Sequence, residues 1–347
     1  MLDHDASVLL IYTGGTIGMI ENAETGVLES VDFNHLKEHV PELKRFKFSI
    51  DTIQFNPPID SSDMDPERWC TLVRIIEDNY NNYDGFVILH GTDTMAYSAS
   101  VLSFMLENPD KPVILTGSQL PIGKIRTDGK ENLITALEIA VDKDSEGNAM
   151  VPEVCVFFQN YLMRGNRTTK INAENFKAFN SYNYPVLAVA GTQIRYERHL
   201  IRKPSPGGTP RFHYWLDSNV MILKIFPGMS IDIVQAIFNN PQLKGVVLET
   251  YGAGNAPERK EFLDVLTRAV ARGVVILNVS QCVSGSVEMT RYRSGKILED
   301  AGVFSGYDMT TEAAVTKLMF LFGHGMDLEQ VKQQIFQSLA GEITIPG

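Results

Sequence analysis

Val8-Leu9-Leu10-Ile11-Tyr12-Thr13-Gly14-Gly15-Thr16 runs from five apolar residues straight into a small polar turn. Unbroken apolar residues suit a strand buried on both faces, and the paired glycines let another group approach the backbone closely. The same join recurs three times. His90-Gly91-Thr92-Asp93 follows Gly85 to Leu89, Thr116-Gly117-Ser118-Gln119 follows residues 112–115, and residues 164–170 follow residues 151–158. Ligands of open α/β sheets bind outside the carboxyl ends of the strands, so four such ends predict one shared site. Its chemistry is that of hydroxyl groups, one carboxylate and one lysine.

Through the first half, short apolar runs alternate with helix-like segments, the pattern of βαβ units around a parallel sheet. Asp65-Pro66-Glu67 sets a cap residue before a proline at the first helical position and predicts a helix over 67–80. Helices are also expected over 94–106 and 129–142. From 195 to 212, Arg195, Arg198, Arg202, Lys203 and Arg211 are interspersed with Pro204, Pro206, Gly207, Gly208 and Pro210, and no period survives. That segment reads as an exposed connection with a solvated charged face. Beyond it, strands are expected at 220–225, 245–248 and 273–278, and helices at 231–239, 257–272, 311–322 and 328–340, with Thr310 and Asp327 as caps. The expected fold is α/β: a larger N-terminal, doubly wound, mostly parallel sheet domain over 1–194, a linker over 195–218, and a smaller C-terminal α/β domain over 219–347.

Composition narrows the function classes. The 347 residues exceed one ordinary domain, and 44% hydrophobic with 21% charged residues is usual for a globular chain. A net charge of −11 opposes nucleic acid or an anionic membrane as partner, because no basic excess exists to pair with phosphates. Cys70, Cys155 and Cys282 form no CxxC pair, which suits a reducing compartment. Met1-Leu2-Asp3-His4-Asp5 is acidic where a signal peptide is basic, and no apolar run reaches the ~18 residues of a membrane span. A cytoplasmic location is expected.

Several motifs compete for the chemistry. The turn at Thr13 to Gly18 offers backbone N–H groups to an anion, but it lacks the GxGxxG spacing, and no GxxxxGK[ST] occurs. His35 and His39 stand four apart, yet Leu36 occupies the position a zinc protease gives to glutamate. No GxSxG elbow is present. Asp93 could serve only to cap the helix after it, and Lys170 could be an ordinary surface lysine. Together with Thr92 they suggest more, since a threonine hydroxyl becomes a good nucleophile only when a neighbouring base takes its proton.

Ile11 to Gly18, His90 to Met95 and residues 164–170 together resemble the L-asparaginase family, closest to its cytoplasmic type I bacterial branch. Residues 60–64, the turn at 116–119, Gly252-Ala253-Gly254-Asn255 and residues 306–313 extend the likeness over nearly the whole chain. The resemblance implies hydrolysis of the side-chain amide of L-asparagine to L-aspartate and ammonia through a threonine nucleophile and an acyl-enzyme, with no cofactor and no metal. By position, Thr16 matches the nucleophile, and Thr92, Asp93 and Lys170 match a second threonine triad. Either threonine could attack first. Asp60, Ser61, Ser62 and Ser118, with Thr92 and Asp93, match the substrate-binding positions. The family is typically a homotetramer, a dimer of dimers, in which a neighbouring subunit completes each site; Asn255 and Tyr292 are the candidates for that contribution.

Two departures stand out. Many members carry a tyrosine in the loop after the glycine-rich turn, whereas residues 21–29 contain none and Val27 takes its place. Tyr292 is the expected substitute. Some cytoplasmic members bind a second asparagine through a cysteine and an arginine. Cys282 matches the first, but Glu249 stands where the arginine would be, and its charge would repel an α-carboxylate, so weak or absent activation by substrate is expected. Two rivals remain. The asparaginase-like subunit of an archaeal tRNA-dependent amidotransferase has an extra domain before its glycine-rich turn, for which a turn at Thr13 leaves no room. A catalytically silent amino-acid sensor would have lost one of Thr16, Thr92, Asp93 or Lys170, and all four are present.

Overall fold

The computed structural model describes residues 6–21, 28–30 and 39–345. It separates into two compact units, residues 1–214 and 215–347. The first is built on an eight-stranded sheet. Its strands are β1 (Ser7–Gly14), β2 (Ser49–Ile59), β3 (Gly85–Leu89), β4 (Val113–Thr116), β5 (Val154–Phe158), β6 (Tyr161–Arg164), β7 (Ala188–Ala190) and β8 (Ile194–Tyr196), in the order 8-7-6-5-4-3-1-2. Strands β2, β1, β3, β4 and β5 run parallel, and β6, β7 and β8 continue the sheet antiparallel.

Both faces of the central parallel strands β1, β3, β4 and β5 are covered, as their unbroken apolar runs predict, whereas β2 forms the less buried edge. Every residue of β1 and β3 is buried. Val8, Leu10, Tyr12, Val87, Leu89 and Ile114 point into one core with Leu133, Ala136 and Leu137 of α3 (Gly129–Val141), which leaves the alternate residues for the opposite face. Helix α1 (Pro66–Asn79) starts where Asp65-Pro66 predicts, with the Asp65 carboxylate accepting from Arg68 N at 2.9 Å. Helix α2 (Met95–Met105) is buried almost all round.

The stretch expected to be an exposed connection belongs largely to the first unit. Residues 194–196 form β8, and Arg211–Phe212 pairs antiparallel with Leu106–Glu107. Arg211 pairs with Glu107, and His213 Nε2 lies 2.8 Å from the same carboxylate.

The second unit carries a four-stranded parallel sheet of β9 (Val220–Lys224), β10 (Gly245–Thr250), β11 (Val275–Ser280) and β12 (Phe304–Ser305), in that order. Its helices are α4 (Ile231–Phe238), α5 (Lys260–Ala271), α6 (Arg293–Asp300), α7 (Thr311–Gly323) and α8 (Leu328–Ile335). Thr310 and Asp327 cap α7 and α8 as expected, Asp327 within a full capping box. Helix α6 has no counterpart among the expected elements, since it opens on Arg293-Ser294-Gly295 and Gly295 is a poor helix former. Gly295 is needed there because a Cβ would fall 2.6 Å from Met289 O.

Candidate active site

In the parallel part of the first sheet the order 5-4-3-1-2 places a topological switch between β1 and β3, where an open sheet forms its ligand crevice. The loops leaving those strands meet main chain to main chain. A Cβ on Gly15 would stand 2.5 Å from Gly91 Cα and N, and one on Gly91 would stand 2.5 Å from Ser61 Oγ. Only glycine permits both approaches. Thr16, Ser61 and Thr92, each one residue from these contacts or part of them, are gathered at one place from β1, β2 and β3.

Thr92 is 8% exposed and sits inside a short polar network. Lys170 Nζ donates to Thr92 Oγ1 at 2.8 Å and to Asp93 Oδ1 at 2.6 Å, linking positions 78 and 77 residues apart. The Thr92 hydroxyl in turn donates to Gln119 Oε1 at 3.3 Å. Asp93 is therefore held by the lysine and not by the helix after it: Thr94 is the N-cap of α2, and no side chain caps that end. Nor is Lys170 an ordinary surface lysine, with its side chain 18% exposed.

Lys170 reaches the crevice by a route the sequence reading had wrong. The expectation of a fourth strand end rested on residues 164–170 following the run 151–158. Instead β5 ends in a hairpin at Gln159-Asn160, and the motif follows β6, which runs antiparallel and ends beside the start of β5, with Arg164 opposite Cys155. The chain then doubles back past α2, close enough that a Cβ on Gly165 would lie 3.0 Å from Ala99 O. It reaches Lys170 in a two-residue strand paired with Phe179–Asn180. Buried Arg164 fixes the corner, its Nε donating to Glu153 Oε2 at 2.6 Å and its guanidinium stacking 4.3 Å above the Tyr184 ring.

The other expected residues fall out as follows. Asp60 Oδ1 accepts from the amide and the hydroxyl of Ser62, both at 2.8 Å, and Thr94 Oγ1 donates to Ser61 O at 2.7 Å, which ties the loop after β2 to the start of α2. Ser118 is buried with its hydroxyl donating to Leu120 O at 2.5 Å, so that group is spent inside its own turn. Asn255 and Tyr292 lie in the second unit: Asn255 Oδ1 accepts from Ser294 Oγ at 2.8 Å, and Tyr292 is 48% exposed at the start of α6. Glu249 Oε1 accepts from Thr311 Oγ1 at 2.6 Å, with Lys224 Nζ 3.6 Å from its other oxygen. His35 and Val27 lie outside the described residues, and among the described residues no group of three or more His, Cys, Asp or Glu could hold a metal ion.

Gln119 ends the Thr116-Gly117-Ser118-Gln119 motif, and nothing in that motif marks it as a partner of Thr92. It is held in turn by Asp128, whose two carboxylate oxygens each accept from Gln119 N at 3.0 Å, and by its own Nε2 donating to Asn175 O at 3.1 Å. Asp128, the residue before α3, accepts from the opposing turn and makes no cap bond to its own helix.

Comparison with known proteins follows the same division of the chain. Residues 7–202 match the family model described as asparaginase, N-terminal, and residues 219–336 match the glutaminase/asparaginase C-terminal domain. L-asparaginase 1 of Escherichia coli strain K12 is 44% identical over 341 residues, covering 97% of this chain and 98% of that one. Among solved structures, L-asparaginase I from Vibrio cholerae superposes with a TM-score of 0.88 at 40% identity, over 99% of this chain and 100% of that one. The thermostable L-asparaginase from Thermococcus kodakarensis superposes with a TM-score of 0.87 at 37% identity, over 98% and 100%.

Proposed function

The chain belongs to the asparaginase family, and from that premise we propose that it hydrolyses the side-chain amide of L-asparagine to L-aspartate and ammonia by way of a threonine ester, with no cofactor. The observation that carries the reading is the contact of Lys170 Nζ with both Thr92 Oγ1 and Asp93 Oδ1, at 2.8 and 2.6 Å, beside the meeting of Gly15 and Gly91.

In this mechanism Thr16 Oγ bonds to the side-chain carbonyl carbon. Its proton ends on the amide nitrogen, the C–N bond breaks, and ammonia leaves. Water then cleaves the acyl-threonine ester, releasing aspartate and restoring the hydroxyl. The oxyanion formed in each step is held by backbone N–H groups and by Thr92. Asp60, Ser61 and Ser62 hold the α-amino and α-carboxylate groups of the substrate, with Ser118 shaping the turn beside them. The active form is a homotetramer, a dimer of dimers, in which Asn255 and Tyr292 of a neighbouring subunit complete the site. The enzyme works in the cytoplasm, in keeping with three free cysteines.

The direct bond from Lys170 to Thr92 favours a second order of events, in which Thr92 carries the acyl group and Thr16 supports it. Both orders are tested by ammonia release from L-asparagine and L-glutamine, using wild type, Thr16→Ala and Thr92→Ala, with quenched reactions digested to find the acylated threonine. Loss of turnover in Thr16→Ala with acyl mass on Thr16 is expected. Wild-type rates from Thr16→Ala would end the assignment, and acyl mass on Thr92 would reverse the order.

A further inference from the structure

Behind the crevice lies a buried chain of hydrogen bonds that the mechanism above does not use. Trp69, Ser98 and His90 are 7%, 0% and 1% exposed. Trp69 Nε1 lies 2.8 Å from Ser98 Oγ, Ser98 Oγ lies 2.8 Å from His90 Nε2, and His90 Nδ1 lies 2.7 Å from Gly91 O. For a neutral imidazole, the chemistry of the two ends fixes every proton. An indole N–H can only donate, so Ser98 accepts from Trp69 and passes its own proton towards Nε2. A carbonyl can only accept, so Nδ1 must carry the imidazole proton and donate it to Gly91. The ring is neutral with one allowed tautomer. Burial, opposed only by the bond to Gly91, pushes the His90 imidazole down to about 4, which keeps that form at neutral pH.

The ring is also fixed in place. His90 N donates to Thr116 O at 2.9 Å, and Gly117 packs so closely on His90 O that a Cβ there would lie 2.3 Å away. Among the described residues the only cis peptide is Asn56-Pro57, so the Gly91-Thr92 peptide is trans and its N–H points opposite to its C=O. With Gly91 O drawn to the imidazole, the Thr92 N–H is turned away from it, and that N–H donates to no group among the described residues. Gly91 must be glycine to fit against Ser61, so its own backbone does little to stop this peptide from rotating.

We propose that Trp69, Ser98 and His90 form a positioning relay that locks the Gly91-Thr92 peptide with its N–H aimed at the oxyanion of the reacting amide. This rests on the acyl-transfer reading above. His90 touches no substrate; it acts through a carbonyl, by preorganising a donor that would otherwise have to reorient in the transition state.

The test compares His90→Leu, which keeps volume but has no donor, with His90→Asn, whose side-chain NH₂ can stand near the place of Nδ1–H. With L-asparagine, His90→Leu is expected to lower kcat by about 10²–10³-fold, the loss that follows removal of one oxyanion donor, and to leave KM within about threefold. His90→Asn is expected to recover about tenfold of that loss. Affinity for L-2-aminobutyrate, which keeps the α-amino and α-carboxylate groups and has no side-chain oxygen, should hold, while affinity for the side-chain aldehyde analogue of asparagine, which adds a threonine hydroxyl to give a tetrahedral alkoxide, should fall with kcat. Ser98→Ala and Trp69→Phe, which break the relay further from the ring, should show the same split in smaller steps and carry the test if His90→Leu does not fold. Wild-type kcat in a folded His90→Leu, or parallel loss of kcat and L-2-aminobutyrate affinity in all variants, overturns the relay and leaves the acyl-transfer reading standing. A wild-type protein that releases no ammonia overturns both.

Discussion

Replacing Lys170 with methionine separates a catalytic lysine from a structural one. The substitution keeps most of the side-chain volume and removes the donor to Thr92 Oγ1 and Asp93 Oδ1. The stability cost is bounded by exposure: the Asp93 side chain is 68% exposed, so the pair is screened by water and contributes no more than ~1 kcal/mol. Thr92 Oγ1 keeps its bond to Gln119, so no buried hydroxyl is stranded. The activity cost is of a different size. A positioned proton-transfer group supplies about 10²–10⁴ in rate, or roughly 3–5 kcal/mol of barrier. Lys170→Met should therefore lose kcat by that factor while its urea unfolding curve, followed by circular dichroism, shifts by ~1 kcal/mol or less. A kcat within about tenfold of wild type refutes the catalytic role. A loss of activity that tracks a stability loss of several kcal/mol refutes it equally, by making Lys170 a structural anchor.

Other perturbations probe the rest of the molecule. His90 titrates from 6.5 in the unfolded chain to about 4 when buried, so the unfolded state takes up a proton first as pH falls. Stability contributed by the neutral ring is full above 6.5, declines by about 3 kcal/mol in total between 6.5 and 4, and is flat below. The difference in urea midpoint between wild type and His90→Asn should shrink across that window, and an unchanged difference contradicts a neutral ring. Lys317 is fully buried in the second unit, donating to Ile335 O at 3.0 Å, Gln337 O at 2.6 Å and Glu342 Oε1 at 2.7 Å. Burial alone would raise the Glu342 carboxyl, but the Lys317 ammonium and the N–H of Ala340 outweigh it and hold the carboxyl below the usual range. Its contribution is thus present above the unfolded carboxyl value and lost as pH falls through the lower folded one. Lys317→Met should cost about 3–5 kcal/mol by stranding that carboxylate, and Lys317→Met with Glu342→Leu should regain most of it; thermal melts that place the double variant below the single one contradict this. Glu249 is engaged with Thr311 and Lys224, so the rate curve against L-asparagine should be hyperbolic, and a sigmoidal curve abolished by Cys282→Ser contradicts it.

The alternation of buried strands and helices could be read from residue order alone, because each strand carries its own signal. The apolar runs at Val8 to Tyr12 and Gly85 to Leu89, the Asp65-Pro66 start and the caps at Thr310 and Asp327 act over a few residues, and the same local forces operate in the folded chain. The glycine turns were equally plain, since Gly15 and Gly91 mark close approach whatever it is they approach. The partners were not. Lys170 meets Thr92 only because β6 runs back against β5 and the chain returns along α2, a reversal marked in the sequence by nothing more than Gln159-Asn160 between two apolar runs. Gln119 and Asp128 belong to a turn and a helix start whose local signals name other duties. His90 looked like one more polar residue in a motif until burial removed water as its partner and left Ser98 and Gly91 to satisfy it. Such pairings depend on which groups are deprived of solvent together, and that is a property of packing between segments many tens of residues apart, on which the spacing along the chain places no constraint.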